Sequence, residues 1–437
     1  MDCTLGSKLY GNGEFDSARC RYQRLIDELV HNTCGAFPRN TFPEVSGAVR
    51  LFSVPGRTEL GGNHTDHNRG KVLAASVHLD IAAVAAPRND TKVFFRSTGH
   101  ADVQLDLGDL SPQEHERGTT AALIRGIASG FAQEGTPVRG FTANAESQVC
   151  SGSGLSSSAA VEVLVAMIFD TFFARGKRSA LQLAKISQQA ETLYFGKPCG
   201  LMDQSACASG GVIAIDFDDP DHPHISKLTF DPSAACFALC VLNTHTSHAD
   251  LLSDYAAIPL EMKAVAGFFG KDALRDLDEQ VFFDNMSALR KTVNDRAILR
   301  ALHFYNENRR VDAMCAALNS IHDGSALPEK AMTTFLALVQ NSGNSSLELL
   351  QNIYAPANPV SQGLSLALAL TKKFLDKDGG ACRVHGGGFA GTIQTYIPLD
   401  RITEYRLCME AIFGEGSLTV LRIRSQGAGS CWTGWLR

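Results

Sequence analysis

The sequence predicts an α+β protein with two parts. Strand-like and helix-like segments are mixed along the 437 residues rather than strictly alternating. An acidic stretch with two prolines, residues 216–224, resembles a solvated turn more than the interior of any element, so it is the best candidate for a boundary. We therefore expect one lobe at residues 1–220 and a second at residues 221–437.

Hydrophobic periodicity and β-branched content predict the elements in order. In the first part they indicate a helix at 22–30, a strand at 49–54, one or two buried strands at 72–86, a helix at 119–131, a strand at 138–145, and helices at 156–173 and 181–194. The second part has strand patterns at 237–242 and 392–396 with several helices between them. The helix at 156–173 has the strongest signal because small hydroxyl residues precede a long apolar run, which should be buried.

Composition points to small-molecule partners. The formal net charge is only −6 and the Lys and Arg residues are scattered, so no footprint for nucleic acid or anionic lipid is present. No run approaches the roughly 18 apolar residues of a membrane span, and residues 1–11 lack the apolar segment of a secretory signal. The 12 cysteines contain no CxxC pair, which favours free thiols. We expect a cytoplasmic monomer or weak homodimer.

Residues 54–73, VPGRTELGGNHTDHNRGKVL, are the most informative segment. Their Arg, Glu, Asp, His and Asn side chains would be costly to bury without partners, so the segment is expected to line a polar cleft. A hydroxyl-rich ligand would suit such a cleft. Metal binding by His64, Asp66 and His67 is the weaker alternative, since no matching ligand cluster occurs elsewhere.

Residues 151–160, SGSGLSSSAA, lead directly into the strongest helix. Glycines allow close backbone approach to an anion, and a helix N-terminus presents unpaired N–H groups, so this loop suits a phosphate. The hydroxyls of Ser156, Ser157 and Ser158 could bind the anion or hold a metal. Neither a Walker A loop nor a dinucleotide fingerprint fits, and a flexible linker is the plain alternative.

Two further loops carry candidate chemistry. Residues 196–204, GKPCGLMDQ, place Asp203 after a turn, where it could be a base, a metal ligand or a local cap. Residues 383–391, RVHGGGFAG, contain three consecutive glycines, which indicate either close ligand approach or a tight structural turn.

In this order, the segments resemble the GHMP small-molecule kinases, and most closely the galactokinase family. Residues 56–68 are similar to the signature GRxNLIGEHTDYN, residues 152–159 to the ATP loop GxGLSSSA, residues 196–204 to GxPCGxMDQ, and residues 385–391 to TGGGFGG. Residues 253–255, SDY, lie where the family carries SEY. The resemblance implies an α+β, two-lobed fold of mixed sheets with packed helices and an active site in the cleft between the lobes.

The resemblance implies phosphorylation of a hexose at C1 with ATP and Mg²⁺, galactose being the favoured acceptor. A galacturonate or other hexose-derivative kinase and a catalytically silent sugar sensor are the alternatives. The implied catalytic residues are Asp203 and Arg57. The other implied residues are Asn63, His64, Asp66, Gly200 and Tyr255 for the sugar; Gly152, Ser153, Gly154, Leu155, Ser156, Ser157, Ser158 and Gly387 for ATP; and Ser158 and Glu191 for Mg²⁺.

One implied arrangement carries a tension. An Arg beside Asp203 should lower the pKa of its carboxyl, which makes Asp203 ionised but a weak base. Asp203 could therefore accept the proton late, or chiefly orient the sugar hydroxyl.

Departures from the family pattern bear on the substrate. Asn63 stands where galactokinases carry a Glu that contacts the C6 hydroxyl, and His67 stands where they carry Tyr. Losing that carboxylate would remove the repulsion of an anionic C6, although an amide can still bond a neutral hydroxyl. His385 and Ala390 replace Thr and Gly in the last loop.

Overall fold

Two β-sheets with helices packed against them form the fold of the computed structural model, which describes residues 3–31, 49–149, 152–246, 251–376 and 379–432. The strands are Arg50–Gly61 (β1), Lys71–Pro87 (β2), Lys92–Ser97 (β3), Val103–Asp106 (β4), Phe141–Ser147 (β5), Val212–Asp216 (β6), His224–Leu228 (β7), Phe237–Asn243 (β8), Ala381–Val384 (β9), Thr392–Pro398 (β10), Leu418–Leu421 (β11) and Gly429–Trp432 (β12).

The helices alternate irregularly with these strands. They are Cys3–His31 (α1), Thr120–Gln133 (α2), Ser157–Phe173 (α3), Ala180–Ala190 (α4), Met202–Ser209 (α5), Leu252–Phe268 (α6), Glu279–Asp284 (α7), Met286–Leu289 (α8), Asp295–His322 (α9), Pro328–Ser345 (α10), Gly363–Leu375 (α11) and Ile402–Phe413 (α12). The α+β class expected from the sequence is confirmed.

The larger sheet has eight strands in the order β12-β1-β2-β5-β3-β4, and β6 and β7 extend it from the other end of β2. Strand β2 is long enough to pair with β5 through residues 81–87 and with β6 through residues 71–75. Only β3 and β5 run parallel among these described strands. The segment at 72–86, left open as one or two strands, is thus a single strand.

The smaller sheet is antiparallel, in the order β11-β8-β10-β9. Helix α11 packs on β9 and β10, and α12 contacts β8, β10 and β11. The apolar core between them includes Leu242, Leu368, Ile393 and Tyr405. Residues 385–391, the glycine-rich loop, connect β9 to β10, so this sheet holds both ends of that loop.

Within the stretch at 216–224, residues 218–222 are exposed and form a turn of the larger sheet. It joins β6 to β7, which pair with each other from Asp216 opposite His224. Strands β7 and β12 both follow residue 220 and both belong to the larger sheet. A solvated turn at this place is confirmed, while the division into lobes at residues 1–220 and 221–437 stays a prediction.

The other predicted elements agree with the structure except at their ends. Helix α3 begins at Ser157 and is buried, as expected, against β1, α4 and α5. Helix α4 starts with a capping box between Ser179 and Gln182 and gives way to a wider π-helical turn at Glu191–Phe195. Helix α1 starts far earlier than residue 22, and β5 starts at Phe141 because Gly140 pairs with the Arg88–Asp90 turn instead.

Candidate active site

Arg57 and Asp203 form the centre of the candidate site. Arg57 lies on β1 just after an irregularity in its pairing with β2, and Asp203 lies in the first turn of α5. The guanidinium donates from Nε to Asp203 Oδ1 at 2.7 Å and from Nη2 to Asp203 Oδ2 at 2.7 Å. Arg57 is 5% exposed, whereas about a third of the Asp203 side chain is exposed. The Asp203 carboxylate is therefore held by Arg57 on one side and accessible from the site on the other.

Two further bonds connect this pair to residues 152–158, the serine loop. Ser156 donates to Asp203 Oδ2, and Arg57 Nη1 donates to the carbonyl of Gly154. Burial alone would raise the pKa of Asp203, but the charge of Arg57 and the bonds from Ser156 and Arg57 outweigh it and hold that pKa below its usual range. The weak-base tension expected from the sequence is thus present in the structure.

The serine loop presents the N-terminus of α3 beside this carboxylate. Ser156 adopts a left-handed backbone conformation with φ 58°, Ser157 opens the helix, and Ser158 is exposed on its first turn. Gly152 is exposed and Ser153 is buried. Unpaired N–H groups at such a helix start attract anions.

Leu155 is the one apolar member of this loop. It is 2% exposed in the main core, and its carbonyl accepts from the Arg57 N–H at 3.0 Å. Leu155 thus anchors the loop to β1.

Asp66 and Gly200 lie against each other on a second side of the site. Asp66 opens the short 3₁₀ turn Asp66–Asn68 and is half-buried. Burial, followed by the negative charges of Asp203 and Glu59, raises the pKa of Asp66 to about 7. The site therefore holds one carboxyl with a raised pKa, Asp66, and one with a lowered pKa, Asp203. Perturbed pKa values of this kind are typical of functional sites.

Asn63, His64 and Tyr255 each form a hydrogen bond with the glycine-rich loop. Asn63 donates to the Gly386 carbonyl at 2.8 Å, His64 Nε2 lies 2.9 Å from the Gly387 carbonyl, and Tyr255 donates to the Gly388 carbonyl at 3.0 Å. A Cβ on Gly387 would lie 2.5 Å from the Tyr255 ring. Gly387 thus sits with the predicted sugar-site residues, and its part in ATP binding stays a prediction.

Asn63 is enclosed by protein groups. It is 1% exposed, donates to the Glu59 carboxylate at 3.0 and 3.2 Å, and accepts from Asn352 Nδ2 at 2.9 Å. These bonds engage both ends of its amide. Sugar contact by Asn63 stays a prediction.

Sequence reasoning missed the ion pair behind Asn63. Arg383 on β9 donates to Glu59 on β1, and both side chains are buried. The one available signal in the sequence was that an otherwise apolar strand pattern carries a charged residue, Glu59 in β1 and Arg383 in β9. Sequence reasoning also missed Asn352, whose carbonyl accepts from the Phe389 N–H at 2.5 Å and so fixes the glycine-rich loop.

Glu191 lies in a buried acidic cluster next to Asp203. Gln204 Nε2 donates to Glu191 Oε2 and to Glu162 Oε2, each at 2.9 Å, and Lys197 Nζ lies 2.9 Å from Glu191 Oε1. Burial, and then the charge of Glu191, raises the pKa of Glu162 well above its usual range. No group of three or more His, Cys, Asp and Glu side chains suited to a metal ion occurs within the described ranges.

The oxygen chemistry of this cluster nonetheless fits a hard cation. Glu162 follows Ser158 by one helical turn on α3, so both side chains share a face, and Glu162 Oε1 is buried with no hydrogen-bond partner. Mg²⁺ takes oxygen ligands from one or two carboxylates and from phosphates.

Known proteins match the segments that build this site. The model of the GHMP kinases N terminal domain matches residues 122–211, and the galactokinase galactose-binding signature matches residues 40–87. A galactokinase of Streptomyces coelicolor is 29% identical over 91% of this chain and 97% of its own length. A galactokinase of Actinobacillus pleuropneumoniae is 30% identical over 82% of this chain and 88% of its own length.

Solved structures agree on the fold. A Lactococcus lactis galactokinase complexed with galactose superposes with a TM-score of 0.75 at 23% identity, covering 92% of this chain and 99% of that one. The mevalonate kinase of Methanococcus jannaschii gives a TM-score of 0.58 at 12% identity over 86% and 99% of the two chains. No helix in the described ranges is long and apolar enough to cross a membrane. On the similarity to galactokinases over nearly their whole length, the chain belongs to the galactokinase family of the GHMP kinases.

Proposed function

We propose that this protein is an ATP-dependent kinase that transfers the γ-phosphoryl group of ATP to the C1 hydroxyl of galactose. The observation that carries the proposal is the bidentate Arg57–Asp203 pair at the N-terminus of α3. Phosphoryl transfer needs positioning and charge stabilisation more than covalent help from the protein. The pair, the serine loop and the helix start supply both.

Asp203 orients the sugar. Its ionised carboxylate accepts a hydrogen bond from the C1 hydroxyl, which directs the oxygen lone pair toward phosphorus. As the O1–P bond forms and the bond between phosphorus and the leaving ADP oxygen breaks, the hydroxyl becomes more acidic. The proton then passes to Asp203, late in the step because the pKa of this carboxyl is low.

Arg57 supplies fixed positive charge beside that oxygen. Its guanidinium is buried and held by Asp203 and by the Gly154 carbonyl, so it does not reorganise during transfer. The N–H groups at the start of α3, with Gly152, Ser153, Gly154, Ser156 and Ser157 around them, bind the ATP phosphates.

Ser158 and Glu191 would hold Mg²⁺, and the ion when bound would neutralise phosphate charge. Asp66, Gly200, His64 and Tyr255 contact the sugar hydroxyls in this proposal. A cytoplasmic location and a monomeric or weakly dimeric state stay predictions.

Galactose is favoured over the alternatives considered from the sequence. Two relatives that span most of the chain are galactokinases, which does not favour a galacturonate kinase. The Arg57–Asp203 pair argues against a silent sensor, because sensing does not need a group that stabilises transfer.

The test is ADP release by purified protein with Mg²⁺-ATP and galactose, galacturonate, glucose or N-acetylgalactosamine in parallel. We expect turnover with galactose that Asp203→Asn abolishes. The exposed Asp219→Asn variant is the matched control and should keep wild-type turnover. Turnover with galacturonate alone would refute the substrate, and no turnover with any of the four would refute the kinase proposal.

A further inference from the structure

His385 connects three segments of the site through a fully paired imidazole. It follows β9 at the start of the glycine-rich loop and is 2% exposed. Its Nε2 lies 2.9 Å from Thr58 Oγ1, beside Arg57 on β1, and its Nδ1 lies 3.2 Å from Thr392 Oγ1 on β10. Two hydroxyls on two different sheets are thus joined by one side chain.

The neighbours of those hydroxyls fix the direction of every bond. Thr392 Oγ1 has one hydrogen and donates to the Ser153 carbonyl at 3.2 Å, so this bond makes Thr392 the acceptor toward His385 and assigns the imidazole proton to Nδ1. Nε2 is then an acceptor and receives the hydrogen of Thr58 Oγ1.

The hydrogen bonds on the other side of Thr58 are consistent with this direction. Gln394 Nε2 donates to Thr58 Oγ1 at 2.7 Å and to the Glu59 carbonyl at 2.8 Å, both of which can accept. The hydrogen bonds therefore run one way, from Gln394 through Thr58, His385 and Thr392 to Ser153.

The environment keeps this imidazole neutral. Burial, followed by the positive charges of Arg57 and Arg383, holds the pKa of His385 well below its usual range. A second proton on the ring would leave Thr58 without its acceptor, so the neutral form is the one that satisfies all partners.

The chain of hydrogen bonds ends at Ser153, in the serine loop. A Cβ on Gly154 would lie 2.6 Å from Thr392 Oγ1 and 2.7 Å from His385 Nδ1, so the loop backbone rests directly on this pair. The Gly154 carbonyl in turn accepts from Arg57. The position of His385 and Thr392 thus sets where Ser153 and Gly154 lie relative to Arg57.

We infer that His385 is a positioning residue for the ATP-binding loop, acting through its Nδ1–H bond to Thr392 and the bond from Thr392 to Ser153. The inference rests on the proposed function, since it assigns ATP binding to this loop. It also gives a reason for the departure from the family pattern, because the Thr usual at this position has one hydroxyl where the imidazole has two separated nitrogens.

Two substitutions of His385 separate its bond to Thr392 from its bond to Thr58. His385→Asn keeps a donor near the place of Nδ1 and loses the acceptor for Thr58, whereas His385→Gln keeps polar reach to Thr58 and loses the donor to Thr392. We expect His385→Gln to raise the KM for ATP about tenfold, the size of one lost buried hydrogen bond. We expect His385→Asn to raise it less than about threefold, and neither to move the KM for galactose by more than about twofold.

Thr392→Val and a double variant complete the kinetic test. Thr392→Val should reproduce the effect of His385→Gln, and combining the two should add little, because both break the same connection. Thr395→Val is the control, since its side chain points to the opposite face of β10 and should leave the KM for ATP unchanged. Equal effects of His385→Asn and His385→Gln, or full additivity with Thr392→Val, would overturn the inference.

A measurement on the wild-type protein needs no activity. Nitrogen-15 NMR of histidine-labelled protein, with the His385 signals assigned by their loss in His385→Asn, should show a protonated Nδ1 and an unprotonated Nε2. A protonated Nε2 would overturn the inference. If wild-type protein instead shows this tautomer but no turnover with any sugar, the proposed function fails while the hydrogen-bond chain stands.

Discussion

Asp66 and Gly200 approach so closely that a Cβ on residue 200 would overlap Asp66 Oδ2. Gly200 is not among the glycines that have a positive φ in the described part of the chain. Space beside the carboxylate, rather than a turn, therefore requires a glycine at this position.

Gly200→Ala should push the Asp66 carboxylate out of place. We expect kcat/KM for galactose to fall by about 10-fold to 100-fold, because small misplacements in a positioned site are costly, while the KM for ATP changes little. Steady-state kinetics against each substrate would measure this. Gly267→Ala, on α6 with open space around its Cβ position, is the control. Unchanged galactose kinetics in Gly200→Ala would show that Asp66 does not contact the sugar.

Asp66 should make galactose use depend on pH near neutrality. Its pKa is raised to about 7, so its carboxyl gains a proton as pH falls through that value and loses capacity to accept hydroxyl bonds. We expect kcat/KM for galactose to rise with pH and level off above about 7. The free enzyme keeps Asp203 ionised across this pH range because the pKa of that carboxyl is lowered, so Asp203 adds no step to the pH profile.

The Asp66→Asn variant is the reference for that profile. Its kcat/KM should be lower than that of wild type and should lack the step near pH 7, and any titration of ATP itself would persist in it. A profile of the same shape in both proteins would assign the step to another group.

Arg57→Lys should lower kcat sharply although the charge is kept. An ammonium group cannot make two parallel bonds to Asp203 together with the bond to Gly154. We expect a loss of about 10²–10³ in kcat, typical of removing one preorganised donor. Arg290→Lys disrupts an equally bidentate but exposed pair with Asp295 and should have no effect on kcat. Wild-type kcat in Arg57→Lys would contradict the assigned role.

The buried Glu59–Arg383 pair should show strong coupling in stability. Among the described residues, Arg383→Met leaves the buried Glu59 carboxylate with the Asn63 amide as its hydrogen-bond partner. We expect the free energy of unfolding to fall by about 3–5 kcal/mol. Adding Glu59→Gln removes the stranded charge and should recover part of that loss. Urea unfolding of the four proteins in the cycle measures the coupling, and strictly additive losses would refute it.

Local pattern was enough to predict most of the helices and strands, whereas the residues of the site came from the resemblance to the galactokinase family. Helix α3 was predictable because its apolar residues leave no polar face, and loop glycines mark its start. Strand β2 was ambiguous because an apolar run has the same pattern as one strand or as two, and only its partners β5 and β6 resolve it.

Contacts between distant residues could not be predicted in the same way. Glu59 and Arg383 lie 324 positions apart, and nothing local to either says which charge faces the other. The orientation of Asn63 depends on the Glu59 carboxylate and on Asn352, so its burial could not be read from its place in the motif. The lowered pKa of Asp203 was expected only because the resemblance to the galactokinases implies that Arg57 lies beside it, and no local pattern relates these two positions.

Strand β12 covers residues 50–53 of β1, the strand that continues to Arg57. During synthesis this covering strand leaves the ribosome long after β1, since Gly429 follows its partner Ser53 by 376 residues (429 − 53). Until then β1 has one edge of unpaired N–H and carbonyl groups, which favours pairing with other chains. Nascent chains and fragments cut before residue 429 share this exposed edge. Demand for a chaperone should therefore end only when the last strand of the sheet has been made.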